Sequence, residues 1–413
     1  MMRVTPRAPV ANDRDTNRWR ANLAWGVAFV VGYLCWSFRL PLLWGHNAPW
    51  DVPGDIWEVY SSAIYVAHGG YAYLYDPGTG YASLPLAAII VAPFEWVGER
   101  LHLVAGVPWH LRRPSMWLVL APVVAIGCTP VIWAARSLAW ELGVRQRLWL
   151  VQLNALVVVS VPCAVFGHFE DALAVAGIFM AWRAAARNKW VAMAIWLAFA
   201  IASKEWAVLA VPMMICHAPH GQRVRLGAIA VAIPLVLVAP CLVRDFSATV
   251  RAIFIASYAH AVPTNGHVGL LSAFIPGGFT QVGVLVFAVG SALFRKWPLQ
   301  AAMCAVAALF ALRVIAEPVA FLYYFSAPLS VLTMIAATSG RRVSFPRFAL
   351  ALVPSLWAWP VHINHTVWWL GMALASAVLA IVVRDALRDG SWEHRSGVPE
   401  AHAELGAPVL LSG

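Results

Sequence analysis

Apolar runs long enough to cross a bilayer follow one another from Ala21 almost to Val383, separated by short polar turns. None alternates apolar and polar positions as a membrane β-strand does, and lipid offers no water to an open backbone. The pattern therefore predicts an all-α, polytopic transmembrane helical bundle. The runs are Ala21 to Trp44, Leu84 to Val97, Ser115 to Ala135, Leu148 to Phe166, Ala172 to Ala186, Trp190 to Ala202, Trp206 to Cys216 and Leu226 to Val243. Beyond them lie Thr280 to Phe294, Leu299 to Leu312, Val319 to Thr338, Phe348 to Pro360 and Val367 to Val383. At roughly 20 residues per crossing this makes about 12 spans. The chain divides into an N-terminal arm 1–20, one membrane domain 21–383 and a tail 384–413 of mixed charge, predicted to be disordered.

Composition sharpens this picture. Of 413 residues 61% are hydrophobic and 12% charged, against about a quarter charged in soluble proteins, so no separate soluble catalytic domain fits in the chain. The net charge of +10 sits in short loops between apolar runs and not on one face, so it reads as topology signal and no nucleic acid is expected as a partner. The six cysteines fall in or at the end of apolar runs without metal-ligand spacing and read as small buried hydrophobes. The 22 tryptophans read as interfacial anchors.

The arginines at 3, 7, 14, 18 and 20 precede an uncleaved signal anchor and place the N-terminus in the cytoplasm. The loop from His46 to Ser83 contains Asp51, Asp55, Glu58 and Asp76 but no Lys or Arg, as an outer loop should. Counting back from a cytoplasmic C-terminus, the basic turns near Arg341, Arg295, Arg223 and Arg183 all face the cytoplasm. The Gly167 to Asp171 turn, the Ser203-Lys204-Glu205 break and the loop from Arg244 to Phe279 then face outward. Parity fails by one crossing, because Arg100, Arg112 and Arg113 and also Arg136, Arg145 and Arg147 flank a single run. Either Leu84 to Val97 is tilted or re-entrant, or one basic cluster lies outside.

After Asp55 the apolar residues Ile56, Val59, Tyr60, Ala63, Ile64 and Ala67 recur at helical spacing, predicting an amphipathic helix on the membrane surface. Asp55 stands at its N-cap with Glu58 at the third position, a variant capping box. It serves either as cap alone or also as general base for an acceptor hydroxyl. Lys204 and Glu205 break a long apolar stretch. An ionisable residue at that depth marks a functional site unless it is neutralised by a neighbour, here Glu205, Glu170 or Asp171. Arg313 and Glu317 are one helical turn apart, which suits an ion pair or an arginine held toward a phosphate. His260 and His267, with Tyr258 and Asn265, could hydrogen-bond a sugar or phosphate. No phosphate-cradling Gly-rich loop, zinc motif or serine elbow is present. Asp51 and Asp55 are too far apart in sequence to form the close aspartate pair that holds a metal and a nucleotide sugar.

Three sets of residues resemble a known family. The first is Gly54-Asp55-Ile56-Trp57 to Tyr60, His68-Gly69-Gly70, Tyr75-Asp76-Pro77 and Leu84-Pro85-Leu86-Ala87 to Pro93. The second is Gly167-His168-Phe169-Glu170-Asp171 with Ser203-Lys204-Glu205-Trp206 and Val211-Pro212, and the third is Arg313 to Glu317-Pro318 with Tyr323-Tyr324 and Pro328. Together they resemble the GT-C membrane glycosyltransferases, and glycosyltransferase family 87 most closely, although that family's turn usually reads Gly-Gln where this chain has Gly-His.

The resemblance implies transfer of a sugar, mannose above all, from a polyprenyl-phosphate donor to an acceptor hydroxyl of a glycolipid, glycan or protein on the outer face of the cell membrane. It implies no cofactor and no metal. Asp55 would be the base, with Lys204 and Arg313 meeting the donor phosphate. Asp51, Glu58, His168, Glu170, Asp171, Glu205, His260, His267, Tyr323 and Tyr324 are candidates for substrate contact. A secondary transporter or lipid flippase using the Lys204 break as its substrate site is the alternative, and a non-catalytic relative a third reading.

Overall fold

A computed structural model of the chain describes residues 12–44, 55–76, 83–103, 114–144 and 146–253, then 267–268, 283–286, 288–290, 299–316, 319–320, 322–338 and 377. The regular structure among the described residues is helical except for one short strand pairing. In chain order the helices are α1 (Asn12–Trp44), α2 (Ile56–Ala67), α3 (Leu86–Arg100), α4 (Pro114–Gly127), α5 (Pro130–Glu141), α6 (Leu148–Ala155) and α7 (Val161–Phe166). They continue as α8 (Phe169–Ala186), α9 (Trp190–Ser203), α10 (Ala210–His217), α11 (Arg223–Arg244), α12 (Phe246–Arg251), α13 (Leu299–Ala316) and α14 (Ser326–Thr338). Strands β1 (His267–Val268) and β2 (Val319–Ala320) pair antiparallel over two residues, with His267 opposite Ala320, which leaves the class all-helical.

Among the described residues three helical stretches are long and apolar enough to cross a membrane: Trp117–Glu141, Leu148–Phe166 and His220–Arg244. The first joins α4 to α5 and outruns the predicted end at Ala135. The second matches its predicted bounds and contains a π-helical turn, Leu156–Ser160, where the following Pro162 withholds a backbone N–H. In the third, Val224, Leu235, Val236 and Val243 are exposed, as on a helix at the edge of a bundle facing lipid. The helix predicted to start at Ala21 begins at Asn12, inside the expected arm.

At the centre lies α8, buried on almost every side from Phe169 to Ala185 and packed against α5 and α9. Small residues permit this, because a Cβ built at Gly177 would stand 2.9 Å from the Cβ of Ala200 on α9. Far from the candidate site described below, the polar side chains of the bundle meet one another. Arg187 and Arg183 at the end of α8 reach Glu141 at the end of α5, and Arg136 donates to Gln152, which donates to Asn22.

Helices α2 and α3 lie side by side and run in the same direction. Both start at the candidate site, through Asp55 and Ser83, and both end where His68 meets Glu99 at 3.1 Å. The predicted apolar face of α2 is buried at Ile56, Val59, Tyr60 and Ala63, but Ile64 is exposed and Ser62 is buried instead, donating to the Glu58 carbonyl. Helix α3 turns Phe94, Trp96, Val97 and Leu101 outward, with the Arg100 guanidinium 4.8 Å from the Trp96 ring centroid. Aromatic, aliphatic and basic groups together on one exposed side suit a helix lying in a membrane interface.

Of the cysteines, Cys128, Cys163, Cys216 and Cys241 are buried as expected, whereas Cys35 is exposed and Cys304 half-buried. The runs Phe348 to Pro360 and Val367 to Val383 lie outside the described residues but for residue 377, and Thr280 to Phe294 is described only in part.

Candidate functional site

The site is built around a reversal of the chain. Helix α7 ends at Gly167, whose φ of +84° is a left-handed conformation that glycine adopts without a Cβ penalty. This hands the chain to His168, the first residue before α8, and the Gly167 and His168 amides return to the carbonyls of Ala164 and Cys163. The His168 ring is thereby held among acids. Its Nε2 is 2.8 Å from Asp55 Oδ2, its Nδ1 is 2.7 Å from Glu170 Oε1, and Asp171 Oδ2 stands 3.7 Å from Nδ1. One face of the ring stacks on Tyr323, centroids 4.0 Å apart.

Burial alone pushes the pKa of the His168 imidazole down, but the Glu170 carboxylate, then the hydrogen bonds to Asp55 and Glu170, outweigh it and raise the value to about 10. His168 is therefore an imidazolium at neutral pH, donating from both nitrogens. Asp55 differs from the predicted cap in a telling way. Its backbone is helical and its side chain makes no capping hydrogen bond. The carboxylate is turned to His168 instead, and remains 45% exposed. The variant capping box is absent because Asp55 already has helical backbone angles, not the extended ones of a cap, and its carboxylate faces the charged donor at His168. Glu58, exposed on the first turn of α2, adds negative charge beside Asp55.

Lys204 enters from the break. Its backbone is extended, which ends α9 and starts a single 3₁₀ turn, Glu205–Leu209. The side chain is buried, donating to Ser83 Oγ at 2.9 Å and to Glu170 Oε1 at 3.5 Å. Of the neutralising partners the sequence offered, Glu170 is the one it reaches. Glu170 thus links His168 to Lys204. Ser83, which the sequence reading did not single out, is set by Tyr75, whose hydroxyl donates to the Ser83 carbonyl at 2.8 Å. Trp206 was also missed as a site residue: its indole N–H donates to Asp171 Oδ1 at 2.6 Å. The Tyr-Asp-Pro and Ser-Lys-Glu-Trp motifs held the only signal for either.

Arg313, on α13, is drawn in by aromatic rings. Its guanidinium carbon is 5.1 Å from the Tyr324 centroid and 5.9 Å from that of Trp206, and it is close enough to Glu205 to act on its charge. Tyr324 meets Tyr323 edge-on at 4.7 Å. Asp55, Glu58, His168, Glu170, Asp171, Lys204, Glu205, Arg313, Tyr323 and Tyr324 therefore form one connected group from five parts of the chain. Asp51, His260 and Glu317 lie outside the described residues, and of His267 only the backbone pairing is described.

Glu170 Oε2, Asp171 Oδ2 and Glu205 Oε2 are buried without a hydrogen-bond partner. His168, Glu170 and Asp171 each offer an atom within 4.8 Å of the others, a set able to hold a divalent cation. A protonated imidazole has no free lone pair, so a cation at this point would first have to displace the proton that Asp55 and Glu170 hold in place. No protein-family model matches the chain, and no curated protein matches its sequence.

Proposed function

We propose that this chain is a polytopic membrane glycosyltransferase of about 12 spans, GT-C-like, that transfers a sugar, mannose in the first instance, from a polyprenyl-phosphate donor to an acceptor hydroxyl. The observation that carries the reading is the meeting of Asp55 and Lys204 around His168 and Glu170. A half-exposed carboxylate suited to accept a proton stands beside a group of cations suited to a phosphate leaving group.

In this reading the acceptor hydroxyl approaches the exposed edge of Asp55, while the His168 imidazolium fixes the carboxylate's orientation from behind. Glu170 holds His168 and Lys204 in a fixed relation, so the base and the phosphate-binding side move as one unit. Arg313 lies on the Lys204 side, cushioned by Tyr324 and Trp206. As the bond from the sugar to phosphate breaks, negative charge grows on the phosphate, and fixed cations in a partly dry site stabilise it without a metal. The donor phosphate would have to draw Lys204 from Ser83, a neutral partner that is easily exchanged.

The same reading resolves the crossing parity. If α2 and α3 lie together in the outer interface, Leu84 to Val97 is not a span, and Arg100, Arg112 and Arg113 stay on the outer side. The acidic loop, the His168 turn and the Lys204 break then share the extracytoplasmic face, and both termini are cytoplasmic.

The test supplies radiolabelled polyprenyl-phosphate-mannose to membranes containing the wild type, Asp55→Asn or Lys204→Ala, with and without a chelator. We expect label transfer by the wild type, insensitive to chelation, and a loss on the order of 100-fold or more with Asp55→Asn. Transfer unaffected by Asp55→Asn would remove the base assignment. Vesicles that accumulate a substrate while transferring no label from any polyprenyl-phosphate sugar would favour a transporter or flippase.

A further inference from the structure

A second group of ionisable side chains lies at the other end of α2 and α3, away from Asp55. His68, the residue that closes α2, is 3.1 Å from Glu99 Oε2 through Nε2, and both side chains are about half exposed. Glu95 lies one turn before Glu99 on α3, so both carboxylates project toward the end of α2. Unlike them it is buried, 3% exposed, and its Oε2 has no hydrogen-bond partner. Each of the three residues offers an atom within 4.8 Å of the other two.

This is an expensive arrangement for a protein without a ligand. Two carboxylates crowd together, one of them has left water with an oxygen unpaired, and a lone imidazole faces both. A cation answers all three costs. A chain that needed only an apolar contact at this point would place a leucine at 95, and one that needed only an ion pair would leave the carboxylate at the surface. We propose that His68, Glu95 and Glu99 form a binding site for a divalent transition-metal ion, Zn²⁺ being the best fit.

One imidazole and two carboxylates are ligands of the kind zinc takes, with about 2 Å to each, so the three atoms close in slightly on binding. The exposed edges of His68 and Glu99 give the ion a route from water and leave positions open to water ligands. The ion clips the ends of α2 and α3 together. It lies at the opposite end of those helices from Asp55 and Ser83 and touches no reacting atom, so its removal leaves the first site in place. The proposal does not depend on sugar transfer.

The test uses the full chain in detergent, stripped with a chelator and titrated with Zn²⁺ by calorimetry. We expect binding with a dissociation constant of about 1 µM or tighter, with a rise in thermal midpoint. Glu95→Gln, which keeps the side chain's size, and His68→Ala should each weaken it at least about 100-fold. Glu99→Gln, at a half-exposed position, gives the same readout without touching the core. His168→Gln removes the histidine of the other cluster and should leave this binding intact. Absence of Zn²⁺ binding at that strength in the wild type would overturn the proposal, as would binding unchanged in Glu95→Gln and Glu99→Gln. Binding lost only with His168→Gln would move the ion to the first site and likewise refute it.

Discussion

The charge on His168 supports a prediction about stability that is independent of any substrate. His168→Gln keeps a polar side chain of similar reach but removes the imidazolium that Asp55 and Glu170 share. Carrying the imidazole from its ordinary 6.5 to about 10, at ~1.4 kcal/mol per tenfold change in proton affinity, corresponds to about 4 to 5 kcal/mol. Asp55 is 45% exposed, so solvent screens its share and about 2 to 4 kcal/mol should survive. The sign follows from the raised value. The protonated form is favoured in the folded state, so the contribution is fully present below about pH 6.5 and is lost as pH rises through about 10. Reversible unfolding by a denaturing detergent in mixed micelles, at about pH 6, 8 and 10, should show the wild type exceeding His168→Gln by a margin that shrinks steadily with pH. A margin that is constant, or that grows toward alkaline pH, would refute the reasoning, because it would mean that His168 is neutral between its two carboxylates.

Three further outcomes follow from the same geometry. Lys204→Met leaves Glu170 buried beside His168 with one cation fewer, and should cost about 3 to 5 kcal/mol in the same unfolding measurement. Stability equal to wild type would mean that Lys204 is not paired as described. Trp206→Phe removes the indole donor from Asp171, whose other oxygen is already unpaired, and should cost about 1 to 3 kcal/mol. An unchanged midpoint would speak against that hydrogen bond. Gly177→Val forces α8 from α9, where a Cβ already meets Ala200 at 2.9 Å, and should cost about 1 to 3 kcal/mol by overpacking. Gly32→Ala, whose Cβ meets nothing within 4 Å inside α1, serves as the control and should cost nothing, helical alanine being favoured over glycine by up to about 1 kcal/mol.

Much of the fold follows from local physics. The bounds of Leu148 to Phe166 are recovered to the residue, and Trp190 to Ala202 within one, because an apolar run between charged turns leaves the backbone one way to satisfy itself in lipid. The break at Lys204 was equally legible, since a lysine and a glutamate cannot continue an apolar helix cheaply. Where the reading went astray, tertiary contacts had overruled local chemistry. Asp55 has the sequence of a helix cap, but a residue 113 positions away supplies a stronger donor. Ile64 fits the apolar face of α2 by spacing, but it is exposed and Ser62 is buried in its place.

The sequence by itself determined that the chain is helical, that it carries apolar segments long enough to cross a membrane, and which few ionisable residues sit where ions are costly. Periodicity and transfer free energy are local, so they can be read from neighbouring positions. Only the tertiary structure decided which of those ions meet. Helix packing joins Asp55 to His168, Glu170 to Lys204 and Trp206 to Asp171, and it sets α2 beside α3 so that His68 faces Glu95 and Glu99. Charges taken from water act at close range and in one direction, so their effect depends on where helices distant in sequence come to lie.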